Sequence, residues 1–503
     1  MKKVLSLVLS LVMIFGIMAI APSAFADDVV TLKFIALGDE GPNESRAVEA
    51  INEKLRADLN CQLEMEYISW SDWTTKYSLI FASGEDYDLV YTANWGSYYD
   101  NARKGAFYEI TEENLQTYMP LTAAALTEGQ KGCARVDGKL YMIPQTALGY
   151  YDDDTVWVVR GDLMDEFGMT EIASIDDVLT YWDNVLEKHP EMVPIDEGTA
   201  DDGRQAMHLV YSFADEYGYK DNYQRTLACS GGENITRFIP AVVDFNDLSN
   251  IKLVDQDEVD EYYLSAFRKA RELQEKGYWS ADALTISDCD YNSFQVGRGA
   301  SFEKFLGQCF TFARNYNAEH PEWDVRVYRF VDQPLLEQAS TNNGMSIGAN
   351  SKHPELAMQV LDLLGYEQSY LDLMTYGFEG EHYTLDENGA ITTNGTWGGA
   401  AMQMGFMTTA LRVEAGEDPK YTEYKNTLES TLPPFCQFVF NSSGLETEVA
   451  MVTQVGVKYL PILALGMTED IEGTYAQFKA ELEAAGANTI LNAYVEQAQA
   501  QLG

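Results

Sequence analysis

The segment that follows residue 28 alternates between two hydrophobic periods, and this alternation limits the fold more than any other feature. Apolar residues recur at every second position over residues 29–36 and 61–68, which is the period of a half-buried β-strand. Over residues 45–55 and 71–81 the apolar spacing becomes helical, and residues 87–93 form a third strand-like run. The order strand, helix, strand, helix, strand predicts an α/β lobe with a mainly parallel sheet.

Comparable units recur later, so the chain is expected to form more than one lobe. Residues 157–160 predict a strand, and residues 258–276 predict an amphipathic helix that ends at Gly277, a residue suited to a helix C-cap. A short strand over residues 344–349 and a helix-rich stretch over residues 447–503 follow. A chain of 503 residues exceeds the size of one ordinary hydrophobic core.

The first 26 residues have the pattern of a secretory signal peptide. Lys2 and Lys3 give a positive start, residues 4–20 are mostly apolar, and residues 24–26 (Ala-Phe-Ala) supply small side chains at a cleavage site. A retained membrane anchor is the alternative, but the apolar run is shorter than the roughly 20 residues that a bilayer crossing needs. The first cysteine is Cys61, so no lipid-anchoring cysteine follows the signal. The sequence predicts an exported chain, soluble after cleavage.

Charge limits the possible partners. Acidic residues outnumber basic ones by 79 to 34, for a formal net charge of −45. The predicted signal holds two lysines and no acid, so the remaining chain has 32 basic residues against 79 acidic ones and a formal charge of −47. Such a charge repels nucleic acid and anionic lipid and disfavours polyanionic ligands. A role in solubility alone is the simpler interpretation.

Neither a metal site nor a disulfide framework is indicated. The six cysteines are widely spaced with no C-x-x-C pair, which favours buried free thiols. The acidic runs at residues 152–154 and 255–260 lack the ligand spacing of a calcium loop. No metal or other cofactor is expected.

Four stretches of this sequence are distinctive in their order and spacing. They are Tyr-Asp-Leu-Val-Tyr-Thr-Ala-Asn-Trp at 87–95 with Lys-Gly-Ala-Phe at 104–107, Asp-Gly-Lys-Leu-Tyr-Met-Ile-Pro at 137–144, Ser-Ile-Gly-Ala-Asn-Ser-Lys-His-Pro-Glu-Leu-Ala at 346–357, and Tyr-Gly-Phe-Glu-Gly-Glu-His-Tyr at 376–383. Together they resemble the extracellular solute-binding proteins of ABC importers. The resemblance is to a clostridial-type branch whose C-terminal part is catalogued as a domain of unknown function.

The resemblance implies an α/β, two-lobed fold of the type II periplasmic-binding-protein class, with hinge crossings that let the lobes close on a ligand. The lobes would comprise residues 27–150 with 325–390, and residues 151–324 with 391–503. The implied ligand is a carbohydrate or oligosaccharide, with peptides among relatives. The implied partner is an ABC transporter permease, and the implied state is a monomer. Gram-positive members are usually lipoproteins, so the missing anchoring cysteine is a departure.

Candidate ligand contacts in the first lobe follow the predicted strands, because ligands of open α/β sheets bind beyond the carboxyl ends of strands. Carboxylates and amides hydrogen-bond to hydroxyl groups, and flat rings stack on the apolar face of a sugar. The candidates are Asp39, Glu40, Trp70, Asn94, Trp95 and Tyr98. A solvated turn is the alternative for Asp39 and Glu40, and packing within the lobe is the alternative for Trp95.

The first crossing and the second lobe supply the remaining candidates, Tyr151, Trp279, Arg298, Ser301, Trp397 and Phe435. Tyr151 would line the floor of the cleft, and Trp397 lies between glycines, where core indoles are seldom found. The resemblance places Arg298 and Ser301 in a segment that faces the cleft, and Phe435 on an aromatic surface. A structural ion pair is the alternative for Arg298, and core packing is the alternative for Phe435.

A secreted carbohydrate hydrolase with paired carboxylates is the alternative function. Such enzymes need two carboxyl groups at a defined separation, and an acid-rich chain supplies many pairs. The sequence contains no G-x-S-x-G, H-E-x-x-H, Walker A or G-x-G-x-x-G motif. The family resemblance therefore favours a binding protein over an enzyme.

Overall fold

The computed structural model describes residues 29–70, 72–84, 86–146, 156–199, 225–227, 238–286, 290–304, 306–329, 340–415, 417–425 and 437–503. The predicted signal peptide, Tyr151 and Phe435 lie outside these described residues.

The described strands, numbered β1 to β16 in chain order, are Val30–Leu37, Cys61–Ile68, Leu89–Thr92, Arg135–Val136, Lys139–Leu140, Met142–Pro144, Val156–Val159, Val193–Ile195, Arg225–Leu227, Val242–Asp244, Lys252–Leu253, Gly299–Lys304, Arg326–Tyr328, Gly344–Ile347, Tyr383–Leu385 and Ile391–Thr393.

The described α-helices, numbered α1 to α17 in chain order, are Glu44–Leu59, Trp73–Ser83, Tyr98–Arg103, Glu112–Tyr118, Pro120–Ala125, Glu128–Ala134, Gly161–Phe167, Ile175–Lys188, Gln256–Lys276, Asp290–Gln295, Leu306–Glu319, Pro354–Tyr366, Gln368–Tyr376, Pro419–Lys425, Glu446–Ala464, Ile471–Ala484 and Ala487–Leu502. Short 3₁₀ turns lie at Asn94–Gly96, Leu248–Asn250, Ala283–Thr285, Pro321–Trp323, Ser340–Asn342 and Ala401–Gly405.

Local sequence explains where these helices end. Helix α1 buries Ala47, Ile51 and Leu55 on one face, as the helical spacing predicts. It ends at Asn60, a residue type that tolerates the left-handed backbone found there, with φ of 52°. Helix α9 ends at Gly277 with φ of 83°, which confirms the predicted glycine C-cap.

The first sheet has the order β2-β1-β3-β14-β6. Strands β1, β2 and β3 are parallel, and β14 runs antiparallel to both β3 and β6. The three strands of the predicted unit, β1, β2 and β3, are parallel, as expected. The other two of the four pairings are antiparallel, because a strand that comes from late in the chain lies between two that come from early in it. Helix α12 follows β14 directly and packs against helices α4 and α5 of the same lobe.

The second sheet has the order β13-β7-β12-β8. Strand β7 is buried over its whole length and pairs antiparallel with β12 and β13, while β8 pairs parallel with β12. Helices α15, α16 and α17 pack against one another, and the first two also pack on α9. Three hydrophobic cores result: the first core packs around the first sheet, and the second sheet has the second core on one face and a smaller third core on the other. They confirm a two-lobed α/β architecture.

The composition of the two lobes differs from the predicted lobe boundaries in two places. Strand β13 (residues 326–328) pairs with β7, so it completes the second sheet and not the first. The 3₁₀ turn at residues 401–405 packs on β1, and its Met402 is buried in the first core. The chain therefore remains with the first lobe beyond residue 391, because strand pairing and packing are decided by partners distant in sequence.

Thr146 is the last described residue before the chain enters the second lobe at Val156, and Ser340 is the first described residue after its return. A third crossing to the second lobe follows Arg412. The third crossing is fixed at both ends. On the first lobe, Arg412 holds Asp372 with hydrogen bonds of 2.7–2.9 Å, and the Ile391 main chain bonds to residues 413 and 415. On the second lobe, Tyr421 stacks on Phe310 at 5.0 Å. Among the described helices, none has the length and apolarity to cross a membrane.

Candidate functional site

One edge of the first sheet brings together three strand ends and two crossings. Strands β1, β2 and β3 are parallel, so the residues that follow each of them lie at the same edge. The pairing of β14 places the end of β6 and the start of β14 there too, so the chain leaves and re-enters the lobe at this edge. We call it the crossing edge. In open α/β sheets, ligands bind at such an edge.

Three tryptophans form a stack on the crossing edge. Trp70, after β2, is 48% exposed and lies nearly parallel to Trp95, with ring centroids 6.0 Å apart and an angle of 24°. Trp73 meets Trp95 edge to face at 5.2 Å. The Trp95 Nε1 donates a 2.8 Å hydrogen bond to the carbonyl of Asn342. The tryptophan stack (Trp70, Trp73 and Trp95) thus presents an exposed indole supported by a second, fixed one.

Gly38, the residue after β1, makes room for this stack. Its φ of +118° is a conformation that side-chain-bearing residues rarely adopt. A Cβ built on it would lie 3.6 Å from the Trp70 Nε1 and 3.3 Å from the Ala401 Cβ. The Trp70 indole therefore lies directly against the loop that follows β1.

Polar candidates follow strands β1 and β3 at the same edge. Asp39 and Glu40 are exposed, and the Glu40 carboxylate accepts a hydrogen bond from the Ser45 hydroxyl. Asn94 is half-buried, and its Oδ1 accepts a 2.6 Å bond from the Trp95 main-chain nitrogen. Four other predicted first-lobe residues therefore lie with Trp70 at the carboxyl ends of parallel strands: Asp39, Glu40, Asn94 and Trp95.

A buried carboxylate that the sequence reasoning missed positions the loop after β1. Glu44, fully buried in the first turn of α1, accepts a 2.9 Å bond from the Gly41 N–H and a 2.8 Å bond from the Ala401 N–H through Oε2. Its Oε1 accepts a 3.0 Å bond from the Met402 N–H. Burial, followed by the charges of Glu44 and Glu40, raises the pKa of the Tyr67 hydroxyl. One feature of the sequence could have indicated this role, namely an acidic residue at the start of a helix directly after Gly-Pro-Asn.

A buried hydrogen-bond network joins the crossing edge to both neighbouring crossings. The Tyr91 hydroxyl donates a 2.6 Å bond to the Asn343 Oδ1, and the Asn343 Nδ2 donates a 3.0 Å bond to the Gln145 Oε1. The Gln145 main-chain nitrogen donates to the carbonyls of Ser340 and Asn343, at 3.1 and 3.0 Å. Gln145 lies just before the first crossing and Ser340 just after the second, so the network connects the described ends of these two crossings.

Three predicted site residues lie in the cores. Tyr98 is 1% exposed and donates its hydroxyl to the Ala134 carbonyl. Trp279 is 1% exposed and donates a 3.0 Å bond to the Leu465 carbonyl. Ser301 is fully buried and accepts a 2.9 Å bond from the Trp182 Nε1. Their side chains have no surface to offer a ligand here, so we do not keep them as candidates.

Arg298 and Trp397 also differ from expectation. The Arg298 guanidinium pairs with Asp196, which favours the structural ion pair. Trp397 is 7% exposed and packs beside His382 at 5.4 Å, next to α1 of the first lobe and not in the second. A Cβ on Gly377 would come within 2.5 Å of its ring, so glycine serves close packing around this indole.

Within the described part of the chain, no group of His, Cys, Asp and Glu side chains is placed to hold a metal ion. Cys61, Cys133 and Cys309 are buried thiols in this part of the chain. Burial raises the pKa of the Cys61 thiol to about 11, so the thiolate is scarce near neutral pH.

Solved structures that share this fold include solute-binding proteins. The N-glycan transport solute-binding protein NgtS from Streptococcus pneumoniae matches with a TM-score of 0.73 and 20% identity, over 94% of this chain and 99% of that one. A human-milk-oligosaccharide-binding, ABC-transporter-associated solute-binding protein from Bifidobacterium longum infantis matches with a TM-score of 0.63 and 14% identity, over 95% and 100% of the two chains. This chain therefore shares the fold of these solute-binding proteins.

Sequence comparison agrees with the fold. A carbohydrate ABC transporter substrate-binding protein of Streptococcus pneumoniae serotype 4 is 23% identical over 486 residues, covering 92% of this chain and 89% of that protein. Residues 434–502 match the family described as a domain of unknown function, DUF3502.

Proposed function

We propose that this protein is an exported substrate-binding receptor that captures a carbohydrate, most simply an oligosaccharide, and delivers it to an ABC transporter permease. The fold and the relatives support this assignment. A structure of NgtS in complex with Man5GlcNAc shares the fold of this chain with a TM-score of 0.69. None of these relatives is named as a hydrolase, and the hydrolase alternative gains no support.

The observation that carries the proposal is the exposed Trp70 indole stacked on Trp95 at the crossing edge. The C–H groups on one face of a pyranose are apolar, and an indole face is the surface that they stack on. Asp39, Glu40 and Asn94 beside it offer carboxylate and amide groups that hydrogen-bond to sugar hydroxyls. An apolar face bordered by polar groups is the pattern that binds a ring with an apolar face and a hydroxyl rim.

The ligand is proposed to be a neutral glycan. A formal charge of −47 after residue 26 repels anionic ligands, and exposed Asp39 and Glu40 add negative charge next to the stack. A sialylated or uronic-acid-rich glycan would therefore bind more weakly than a neutral one of the same length.

Hinge closure would follow from the position of the stack. The ligand binds at the edge where the chain crosses between lobes, so a second lobe that rotates about the crossings can cover it. A ligand that contacts both lobes stabilises the closed state by the difference in its affinity for the two states. The permease would then recognise the closed form.

Calorimetry with a panel of neutral, sialylated and uronic-acid glycans, together with a set of short peptides, tests the proposal. We expect saturable binding of a neutral oligosaccharide, with the same oligosaccharide recovered intact by mass spectrometry. Cleaved product would replace the proposal with the hydrolase, and binding confined to peptides would overturn the choice of ligand.

A further inference from the structure

A short extended segment lies between the two lobes and contributes side chains to both cores. Phe438 and Phe440 are buried in the second core, where both rings contact Tyr494, at 4.8 and 5.4 Å. Val439, between them, is buried in the first core. We call residues 438–441 the bridge segment. Successive side chains of an extended chain point to opposite sides, which is why one segment serves two cores.

The last helix holds the main chain of the bridge segment with glutamine side chains. The Gln497 Oε1 accepts a 2.7 Å bond from the Asn441 N–H, and its Nε2 donates a 2.9 Å bond to the Asn441 carbonyl. The Gln501 amide makes the same pair with Val439, at 3.3 and 3.0 Å. Each amide therefore pairs with the N–H and the carbonyl of one residue, as a neighbouring strand would.

Helix and strand geometry explain the choice of positions. Residues four apart on an α-helix are separated by about 6 Å along the axis, at 1.5 Å per residue. Residues two apart on a strand are separated by about 6.6 Å, at 3.3 Å per residue. Gln497 and Gln501 thus match Asn441 and Val439 with the two elements antiparallel. The second lobe thereby gains a strand-like attachment without a partner strand.

Contacts with the first lobe are fewer among the described residues. Arg103, the last residue of α3, donates a 3.3 Å bond from Nη1 to the Phe440 carbonyl. Val439 supplies the apolar contact and is 6% exposed. The second lobe holds the bridge segment with four amide hydrogen bonds and two buried phenylalanine rings, whereas the first lobe contributes one longer hydrogen bond and the contact with Val439. The bridge segment is therefore expected to move with the second lobe.

We propose that the bridge segment is a wedge, carried by the C-terminal helices, that seats against α3 of the first lobe and sets the resting angle between the lobes. This assigns a task to residues 434–502, which match a domain of unknown function. Closure on a ligand would slide or release the Val439 and Arg103 contacts and leave the glutamine pairs intact. The inference does not depend on which ligand the protein binds.

The same helix provides a matched control. The Gln499 amide accepts a 2.8 Å bond from the Ile251 N–H and donates a 3.0 Å bond to the Leu248 carbonyl. Residues 248–251 belong to the second lobe, where Ile251 is buried in its core. Gln499→Ala therefore removes an equivalent pair of bonds with no connection to the first lobe.

The experiment measures the interlobe distance in the ligand-free, full-length protein. Fluorescent non-natural residues replace exposed Glu113 on α4 and exposed Glu187 on α8, so that the native cysteines stay in place. In the Gln497→Ala/Gln501→Ala variant we expect the mean distance to shift by more than about 2 Å and its distribution to broaden. Gln499→Ala should keep the wild-type distribution.

A second variant guards against loss of folding. Val439→Ala removes only the apolar contact with the first lobe and leaves the Arg103 bond and all four amide bonds. It is expected to shift the distance in the same way. An unchanged distribution in both variants, each with a cooperative unfolding transition, would overturn the proposal. An equal shift in Gln499→Ala would also overturn it, because the effect would then reflect general loosening of the second lobe.

Discussion

The Trp95 indole nitrogen is hydrogen-bonded to the Asn342 carbonyl, at 2.8 Å, on the segment where the chain returns from the second lobe. One ring of the candidate ligand surface is thus bound to the turn by which the chain re-enters the first lobe. Tyr91, on the strand that precedes Trp95, adds a bond to the adjacent Asn343. A change in the position of the crossings should therefore move the tryptophan stack. By thermodynamic reciprocity, a ligand bound at the stack should also change the position of the crossings.

Trp70→Ala is expected to weaken oligosaccharide binding about tenfold, because it removes the exposed stacking face. Trp70→Phe keeps a smaller flat ring and should lose less. Leu79→Ala removes another exposed apolar side chain, on α2, and should bind as the wild type does. Isothermal calorimetry gives all the affinities, and equal affinity for Trp70→Ala and wild type would contradict the assigned site.

Tyr91→Phe removes the hydroxyl that bonds to Asn343 while keeping the ring. Loss of one such bond lowers the free energy of unfolding by about 1 kcal/mol. A looser hinge must be ordered on binding, so affinity should fall about threefold. Tyr87→Phe, which removes a 3.0 Å bond to the Ala106 carbonyl within the first lobe, should cost similar stability. Denaturant unfolding and calorimetry separate the two, and equal affinity loss in both variants would refute a hinge-specific role.

Glu44→Gln replaces one acceptor oxygen with an amide group that faces main-chain N–H donors. We expect the free energy of unfolding to fall by about 1–3 kcal/mol, because a buried donor loses its partner. Binding should also weaken, since the loop after β1 borders Trp70. Glu49→Gln, exposed on the same helix, should stay within about 0.5 kcal/mol of wild type. A wild-type unfolding midpoint for Glu44→Gln would show that this carboxylate does not hold the loop.

Cys61 is expected to resist thiol reagents at pH 8 until the protein unfolds. Its folded pKa is about 11 against an ordinary value of 9.0, so the folded state retains a proton that the unfolded state releases. Stability from this group is complete below pH 9 and falls as pH rises from 9 towards 11. Maleimide labelling followed by peptide mass spectrometry, with and without denaturant, measures this. Rapid labelling of native Cys61 would be inconsistent with its burial.

Much of the first lobe follows from local pattern. The alternation over residues 61–68 predicts β2 with its observed ends, and the predicted loops after β1, β2 and β3 carry residues that the structure brings together. Parallel strands give this result automatically, because their carboxyl ends share an edge. Trp70 and Trp95 were therefore predictable as neighbours without knowledge of the helices around them.

Long-range partners explain what the sequence does not reveal. Trp279 and Ser301 lie next to turns, but Leu465 and Trp182 bury them from positions far away in the chain. Trp397 lies between glycines, yet the decisive glycine is Gly377, which lets the indole approach the main chain. The hydrogen bonds of Gln497 and Gln501 to the bridge segment could not be predicted either, since glutamine on a helix is usually solvated.

The pairing of β14 with both β3 and β6 has a consequence for how the molecule is made. Tyr91 pairs with Met345, so the first sheet stays split until the ribosome has synthesised the intervening second-lobe sequence. Closing so long a loop is slow, and the two unpaired edges are prone to aggregation meanwhile. The nascent chain therefore cannot complete its folding from the amino end onward, and the first lobe becomes whole only after most of the second has been synthesised.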